Sequence, residues 1–303
     1  MPDSPRISVV MPVYNGERYL AEAVESVLHQ RFSDFEFLIF DDGSTDRSAA
    51  IVEAACGGDP RLRLFRKAHA GHTPWLNEGL QIARGEFIAR MDADDVARPE
   101  RFSRQVGYLE ENPECLAVGT QALFVDPDGD PIAPTDTPLA HEEIDRRHLE
   151  PGTGGSMITH PSVMMRADAV RATGGYRNEY HLAEDLDLFL RLAERGKLAN
   201  LPEVLLEYRI HPKGVGIAQR ARQLQRVDAA RRDAYRRRGL ELSGGVTEPR
   251  SASPSAEAVR GWIVAEARRH GFLYTARKHA WAALRSGLWS PSAWRLMKVA
   301  WIG

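Results

Sequence analysis

Four short apolar runs alternate with helix-like segments in the first third of the sequence. The runs have the length and composition of buried strands, and the segments between them carry apolar residues at helical spacing. The strands are predicted at residues 7–13, 35–40, 62–65 and 87–91. This β-α-β-α order predicts an α/β fold in which helices flank a mostly parallel sheet.

Polar or aromatic side chains stand where three of these strands end. The first strand ends in Pro12-Val13-Tyr14, the second in Asp41-Asp42 and the fourth in Asp92-Ala93-Asp94-Asp95. Ligands of such sheets bind beyond the carboxyl ends of the strands, so we expect these groups to meet at one edge.

The run Asp92-Ala93-Asp94-Asp95 places three carboxylates against a buried strand. Crowded carboxylates repel one another, and a cation relieves this repulsion in a poorly solvated site. Hard divalent ions such as Mg²⁺ or Mn²⁺ take oxygen ligands and often bridge to a phosphate. Taken alone, the run is equally compatible with a solvated acidic turn.

The sequence lacks the motifs of dinucleotide-binding dehydrogenases, of proteins with a Walker-type phosphate loop, of membrane-spanning proteins and of disulfide-rich proteins. No Gly-x-Gly-x-x-Gly follows the first strand and no Gly-Lys-Ser/Thr phosphate loop occurs, so bound phosphates would have to be held through a metal. No run of about 18 apolar residues predicts a membrane-spanning helix. The two cysteines, Cys56 and Cys115, argue against a disulfide framework. With no apolar signal-peptide core at its N-terminus, the chain is expected in the cytoplasm.

The sequence resembles family 2 glycosyltransferases, which have the GT-A fold. Over roughly residues 6–215, four segments occur in the family's order and spacing: residues 8–15, 41–46 and 83–95, and Glu184-Asp185. The resemblance implies a Rossmann-like GT-A domain at residues 1–215. Its half at 1–97 would bind a nucleotide-diphosphate sugar, UDP-linked by family frequency, and its half at 98–215 would bind the acceptor.

The resemblance implies roles for the strand-end residues. Pro12 and Tyr14 would flank the nucleotide base, with Tyr14 stacking on it, although Tyr14 could instead be a packed core aromatic. Asp42, rather than Asp41, would accept a hydrogen bond from the base, since an ionised carboxylate is an acceptor only. Asp92 would face the ribose or a metal-bound water.

The resemblance also implies a metal site. Asp94 would ligate Mg²⁺ or Mn²⁺ directly, and Asp95 would hold the loop. His211, which follows the last strand of the domain, would lie near the metal or the diphosphate. The segment His72-Thr73-Pro74-Trp75 departs from the small residues that relatives often carry, which leaves the donor-sugar side open.

On the acceptor side, the resemblance implies that Asp185 is the general base of an inverting transfer. Glu184 would orient Asp185 or touch the acceptor, and His160 would lie nearby. On spacing alone, Glu184 and Asp185 are equally an acidic first helical turn that stabilises the helix dipole.

The remaining sequence, at 216–303, is basic and helical. Residues 211–303 carry 18 basic and 6 acidic side chains, whereas residues 1–210 carry 22 and 36. Tryptophans interleave with arginines and lysines, a pattern typical of a helix on an anionic membrane surface. The alternatives are helices packed on the catalytic domain and a homodimer interface. Nucleic-acid binding is not expected, because no recognition module occurs.

Three functions follow from these observations. The first is a metal-dependent inverting glycosyltransferase in polysaccharide or cell-surface glycan synthesis, with a glycan or lipid-linked hydroxyl acceptor, acting in the cytoplasm or at the inner face of the membrane. The second is a nucleotidyltransferase that makes sugar nucleotides, which would be expected to show a basic, glycine-rich loop after the first strand. The third is a non-catalytic sugar-nucleotide binder, against which the presence of both Asp94 and Asp185 argues.

Overall fold

The computed structural model describes residues 4–211, 214, 219–241, 255–286 and 290–301. The strands are β1 (Ile7–Val13), β2 (Phe35–Asp41), β3 (Leu62–Arg66), β4 (Phe87–Arg90), β5 (Val96–Ala97), β6 (Cys115–Val125), β7 (Pro131–Pro134), β8 (Met164–Arg166) and β9 (Lys197–Arg209). The helices are α1 (Leu20–Leu28), α2 (Ser48–Cys56), α3 (His72–Ile82), α4 (Arg101–Glu111), α5 (His141–Leu149), α6 (Ala167–Ala172), α7 (Glu184–Ala193), α8 (Arg220–Arg237), α9 (Ala256–Arg269), α10 (Leu273–Ser286) and α11 (Pro291–Trp301).

The strands form one sheet in the order β3-β2-β1-β4-β8-β6-β9-β5, and β7 pairs with β6. The first four strands of the chain pair in parallel, as the alternation of strands and helices predicts. Beyond them, β8 runs antiparallel to both β4 and β6, while β9 runs parallel to β6. The half of the sheet next to the predicted nucleotide site is therefore parallel, and the other half is mixed.

The register of the parallel strands aligns their carboxyl ends. Val13 of β1 pairs with Asp41 of β2, and Val10 of β1 pairs with Arg90 of β4. The backbone N–H of Asp42 donates to the carbonyl of Val13 at 2.8 Å. The segments that follow β1, β2 and β4 therefore emerge side by side at one edge of the sheet.

Both faces of the sheet are covered, which explains why its strands are apolar throughout. Alternate residues of β1 point to opposite faces, so Met11 packs with α1, α2 and α4, and Val10 packs with α3, α6 and α7. All seven residues of both β1 and β2 are buried. Because helices cover both faces of the sheet, we expect a ligand to reach the strands at their carboxyl edge.

The C-terminal helices pack on the sheet and its flanking helices in two places. Apolar residues of α8 join Leu186 and Leu190 of α7 in one cluster. Helices α9 to α11 share a core of their own, and Ile263 of α9 packs on Ile132 and Ala133 of β7. No helix in the described ranges is long and apolar enough to cross a membrane.

The sequence also predicts a helix capped by Ser44 or Thr45, a helix capped by Thr73 with Pro74 in its first turn, and a linker at 244–254. Both of these helix starts are wrong. Helix α2 begins at Ser48 rather than beside Ser44 or Thr45, because Asp46 Oδ1 accepts the backbone N–H of Ser48 from outside the helix. Helix α3 begins at His72 after Gly71, so Thr73 lies inside the helix instead of capping it. The predicted linker at 244–254 and Trp289 lie outside the described residues.

Candidate active site

The three carboxylates that follow β4 converge at the edge of the sheet. Asp92, Asp94 and Asp95, here called the cleft cluster, each present an oxygen within 4.8 Å of the others. Two basic side chains contact them. Arg90 Nη1 lies 2.5 Å from Asp92 Oδ1, and His211 Nε2 lies 2.8 Å from Asp94 Oδ2. The structure thus brings His211 and Asp94 together across 117 residues of sequence.

Asp95 is the most buried member of the cleft cluster. Its side chain is 2% exposed, and its Oδ1 accepts the backbone N–H of Arg209 on β9 at 2.9 Å. Arg209 Nε donates in turn to the carbonyl of Asp94 at 2.9 Å. Asp95 Oδ2 is buried and has no hydrogen-bond partner among the described residues. Asp95 therefore fixes the loop on β9 and still keeps one unpaired acceptor oxygen in the cluster.

Burial and mutual repulsion govern the charge of the cleft cluster. Burial raises the pKa of Asp95 well above its ordinary value, and the charges of Asp94 and Asp92 raise it further. Burial also raises the pKa of Asp92, although the neighbouring Arg90 guanidinium opposes this shift. Carboxylates held together at this electrostatic cost gain most from a bound cation.

The donor atoms of the cleft cluster fit the predicted ion. Carboxylate oxygens are the ligands that Mg²⁺ and Mn²⁺ prefer, and the unpaired Oδ2 of Asp95 is the kind of orphaned acceptor that a cation satisfies. Asp94 is the most accessible member, with 35% of its side chain exposed. Asp92 and Asp94 are the two members of the cluster that solvent reaches.

Arg90 is a residue of the site that the sequence did not single out. It closes β4, is 5% exposed, and lies in contact with Asp92. Its Nε has no hydrogen-bond partner among the described residues. Its charge reaches across the cleft, because it opposes the rise in the pKa of Asp185 on the other side. A lone arginine at the end of an apolar run carries no signal that distinguishes it from an ordinary strand end.

Tyr14 and Asp42 lie together on the predicted base side, and His69 joins them. The ring of His69 stacks on that of Tyr14 with centroids 4.2 Å apart, and His69 Nδ1 lies 2.9 Å from Asp42 Oδ2. Tyr14 is 49% exposed and is therefore not the packed core aromatic of the alternative. Pro12 is buried within β1, so its ring is not exposed at the cleft.

Asp42 is 3% exposed and anchors the loop that leads into α3. Its Oδ1 accepts the backbone N–H of Ala70 at 2.7 Å and Trp75 Nε1 at 2.6 Å, and its Oδ2 accepts the backbone N–H of Gly71 at 3.0 Å. Gly43 permits this approach, because its φ is +74° and an added Cβ would lie 2.9 Å from the backbone nitrogen of His69. Both oxygens of Asp42 are thus already engaged by the protein.

Helix α7 presents three acidic residues in its first turn on the other side of the cleft. Asp187 is fully buried and paired with Arg177 and Arg191. Asp185 has no cationic side chain within 4.0 Å among the described residues, and burial together with the charge of Glu184 raises its pKa to about 7. Of the three, Asp185 is the carboxylate left available to act on a ligand.

Glu184 is held by a histidine from α3. His72 Nε2 lies 2.5 Å from Glu184 Oε1, across 112 residues of sequence. Burial acts to raise the pKa of Glu184, but the hydrogen bond and charge of His72 outweigh it and lower the pKa to about 2. Burial acts to lower the pKa of His72, and Glu184 reverses this and raises it. His72 was noted in the sequence only as a departure from a family pattern.

His160 lies near His72 and Glu184, whose charges act on its pKa. Its Nε2 is 2.9 Å from the hydroxyl of Tyr176, and its ring meets that of Phe189 edge-on. Burial lowers the pKa of His160 well below its ordinary value, and Arg90 adds to the shift, so the imidazole is neutral. His160 is therefore a neutral polar group on the predicted acceptor side, while Arg90 supplies positive charge.

Comparison with known proteins places this arrangement in a family. Residues 8–173 match the family described as glycosyl transferase family 2. EpsE of Bacillus subtilis (strain 168), provisionally named a glycosyltransferase, is 36% identical over 69% of this chain and 74% of its own. The chain belongs to glycosyl transferase family 2. The chondroitin synthase of Pasteurella multocida (strain Pm70) is 29% identical to this glycosyltransferase over 70% of the chain, but over only 21% of the synthase.

Solved structures with the same fold extend over almost the whole chain. TarS 1-349 of S. aureus in complex with UDP-GlcNAc is 18% identical, covers 97% of this chain and 81% of its own, and has a TM-score of 0.61. The mannosyltransferase PcManGT from Pyrobaculum calidifontis, in complex with GDP-Man and Mn²⁺, is 19% identical, with 99% and 80% coverage and a TM-score of 0.58. This family 2 glycosyltransferase thus has the predicted GT-A fold.

Proposed function

We propose that this enzyme is a metal-dependent, inverting glycosyltransferase that moves a sugar from a nucleotide-diphosphate sugar to a hydroxyl of a glycan or lipid-linked acceptor. The observation that carries the proposal is that Arg90, which contacts the acidic cleft cluster, is also close enough to Asp185 for its charge to lower the pKa of that carboxyl. Asp185 itself has no cationic side chain within 4.0 Å among the described residues. Polysaccharide synthesis is the expected context, because the relatives include a chondroitin synthase.

The donor would lie along the edge formed by β1, β2 and β4. Its base would stack on Tyr14 after His69 has moved, because His69 now covers that ring and contacts Asp42. UDP is the expected nucleotide, and the TarS complex with UDP-GlcNAc supports it. In this proposal residues 1–97 bind the nucleotide and residues 98–215 bind the acceptor.

The diphosphate would lie over the cleft cluster. Asp92 and Asp94 would hold Mg²⁺ or Mn²⁺, which would supply Lewis-acid stabilisation of the charge on the leaving nucleoside diphosphate. The PcManGT complex with Mn²⁺ supports such an ion. His211 orients Asp94 through the contact at 2.8 Å, and Arg90 both orients Asp92 and places a buried positive charge beside the diphosphate. Asp95 keeps the loop on β9.

Asp185 would remove the proton from the attacking acceptor hydroxyl. A general base works best when its pKa lies near the working pH, and burial beside Glu184 gives Asp185 a pKa of about 7. Glu184 remains ionised next to it and, through its bond to His72, holds the start of α7 against α3. His160 stays neutral and can hydrogen-bond to the acceptor without competing for the proton.

The test is Asp185→Asn, assayed by release of nucleoside diphosphate from UDP-GlcNAc and GDP-mannose in the presence of a panel of glycan acceptors. We expect transfer to fall by a factor of about 100 or more with nucleotide binding retained, since general bases contribute rate enhancements of this order. Asp168→Asn is the control, because Asp168 is an exposed first-turn acid of α6. Full activity of Asp185→Asn would remove Asp185 from the mechanism.

A second part of the proposal is that α10 and α11 lie on an anionic membrane surface. Tyr274 and Trp281 are 70% and 47% exposed and share one face of α10, as do Trp294 and Trp301 on α11, where they are 57% and 39% exposed. The rings of Trp281 and Trp301 meet edge-on at 6.1 Å, and Arg277 lies over the ring of Trp301. Aromatic rings interleaved with cations suit the interface of an anionic bilayer.

This part is tested by flotation with vesicles of anionic or neutral lipid. Replacing Tyr274, Trp281 and Trp294 together by alanine should abolish binding to anionic vesicles and leave the fold intact, as measured by circular dichroism. Leu139→Ala, at an apolar side chain that is 44% exposed on the catalytic domain, is the control. Unchanged flotation of the triple variant would contradict the membrane assignment. Loss of a dimer in ultracentrifugation would indicate that these side chains form a homodimer interface instead.

A further inference from the structure

A second group of metal-ligating side chains lies on the acceptor side of the cleft. His72, His181 and Glu184 each offer one ligand atom, and these atoms all lie within 4.8 Å of one another. The imidazole rings of His72 and His181 are 5.1 Å apart between centroids, and His72 Nε2 is 2.5 Å from Glu184 Oε1. The group shares no residue with the cleft cluster.

The fold brings these residues together from two halves of the domain. His72 is the first residue of α3, and Glu184 is the first residue of α7. His181 lies three residues before Glu184, and the residue between His181 and Ala183, Leu182, has a φ of +81°. Because both helices begin here, all three side chains meet where the nucleotide half of the sheet faces the acceptor half.

One atom of the group lacks the partner that its burial demands. Glu184 is 5% exposed, and its Oε2 is buried with no hydrogen-bond partner among the described residues. The bond from His72 reaches only Oε1. A buried carboxylate oxygen that accepts nothing is costly, and a donor or a cation normally satisfies it. The unpaired oxygen therefore points to a ligand that the three residues hold together.

We propose that His72, His181 and Glu184 form a binding site for a transition-metal ion of the Zn²⁺ type. Two imidazoles and one carboxylate suit Zn²⁺ or Co²⁺, whereas Mg²⁺ favours oxygen donors such as those of the cleft cluster. Three protein ligands leave a fourth position open, as in zinc sites that take a water or a substrate oxygen. The ion ties the start of α3 to the start of α7. The competing explanation is a plain ion pair between a protonated His72 and Glu184.

The site does not depend on the proposed transfer reaction, since it would bind its ion whether or not Asp185 is the base. The experiment therefore measures binding and not turnover. The full-length protein is freed of metal and supplied with excess Mg²⁺ to fill the cleft cluster. Co²⁺ is then added while its visible absorption is followed, and Zn²⁺ is titrated separately by calorimetry.

We expect intense visible bands of four-coordinate Co²⁺ that Zn²⁺ displaces, and Zn²⁺ binding at one ion per chain. His72→Ala and His181→Ala should each weaken Zn²⁺ binding by about 100-fold or more, because loss even of outer-shell partners costs 10- to 100-fold. Two controls should leave binding unchanged. These are His29→Ala, at an exposed histidine of the surface, and Asp94→Ala, in the cleft cluster.

Folding of the variants is checked by circular dichroism and by the rise in melting temperature that Zn²⁺ produces. The wild type should show that rise, and the folded His181→Ala variant should lose it. Glu184→Gln keeps the shape of the side chain and should also weaken binding. The proposal is overturned if the wild type binds no Zn²⁺, or if the two histidine variants bind it as tightly as the wild type does.

Discussion

Two clusters of three carboxylates each follow a strand of the sheet, and they are treated differently by the protein. The cleft cluster follows β4. The other, here called the turn cluster, consists of Asp126, Asp128 and Asp130 after β6, and Lys278 of α10 reaches all three with Nζ–O distances of 2.7, 2.7 and 2.6 Å. Among the described residues, no cationic side chain reaches all three carboxylates of the cleft cluster in this way, since the Arg90 guanidinium contacts Asp92 alone.

The pKa values of the buried carboxyls in the two clusters are shifted in opposite directions. Burial acts to raise the pKa of Asp126, but hydrogen bonds from His279 and Lys278 outweigh it and hold the pKa well below its usual range. In the cleft cluster, burial and repulsion raise the pKa of Asp95. A cluster that carries its own cation is a structural joint, here between α10 and the sheet. A cluster whose three carboxylates share no cation is where we expect an ion from solution to bind.

The largest expected effect separates the two clusters by activity. Asp94→Ala should lower release of nucleoside diphosphate by a factor of about 100 or more, because the bound ion supplies several kcal/mol of stabilisation to the leaving group. Asp128→Ala is the matched change in the turn cluster, where the side chain is 59% exposed, and should leave the rate unchanged. Equal loss in both variants would show that the two clusters do not differ in this way.

The next largest effect is on stability, and here the change in the turn cluster should matter more than the change in the cleft cluster. Asp126→Ala should lower the free energy of unfolding by about 3 kcal/mol, because it leaves Lys278 without its most buried partner. Urea unfolding measures the change. Asp94→Ala, which relieves repulsion in the cleft cluster, should lower stability far less. A loss of less than about 1 kcal/mol in Asp126→Ala would place the turn cluster among ordinary surface pairs.

Dependence on pH gives a smaller but signed difference. Since the folded state depresses the pKa of Asp126, its contribution to stability is present above its ordinary pKa and is lost as pH falls through the lowered value. Wild-type stability should therefore begin to drop near about pH 5 and continue to drop as the pH falls below the ordinary pKa toward the lowered one, and Asp126→Asn should show a smaller drop. Urea midpoints across this range measure it, and parallel pH profiles would contradict the assignment.

The smallest effect is a gain. Lys278→Ala removes the ammonium that closes the turn cluster and should create weak binding of Mn²⁺ there, seen as an additional calorimetric site. His279 still lies 2.8 Å from Asp126 Oδ2 in that variant, so the affinity should stay below that of the cleft cluster. The conservative Lys278→Arg should gain no site. If Lys278→Ala gains none either, a built-in cation is not what distinguishes the clusters.

The sequence predicted the parts of the site that depend on strand ends. The apolar runs located β1, β2 and β4, and their parallel pairing necessarily brings Tyr14, Asp42 and Asp92 to one edge. His72 and Glu184 meet across 112 residues through the packing of two helices, for which no local pattern exists. The sequence also could not predict that the loop before α3 donates hydrogen bonds to Asp42. The donors are backbone N–H groups, which every residue type except proline carries.

What the C-terminal helices cover could not be predicted from the sequence, for a different reason. The basic, aromatic tail could equally indicate packing, a dimer or a membrane surface. The structure shows packing for α8, whose apolar side lies on α7 and which is followed by Arg238, paired with Asp145. It also shows aromatic side chains exposed on α10 and α11. An amphipathic pattern marks which side of a helix is apolar, and only the neighbours decide what that side covers.

The most direct test of the central claim, that the cleft cluster holds the ion of a nucleotide site, is calorimetric titration with UDP in Mn²⁺ and in EDTA. We expect UDP to bind at least about tenfold more tightly with Mn²⁺, an increment of about 1.4 kcal/mol. Asp94→Ala should lose that increment and Asp128→Ala should keep it, with GDP and dTDP titrated in parallel. Binding of all three nucleotides that is equal with and without Mn²⁺, or an increment that survives in Asp94→Ala, would contradict the claim.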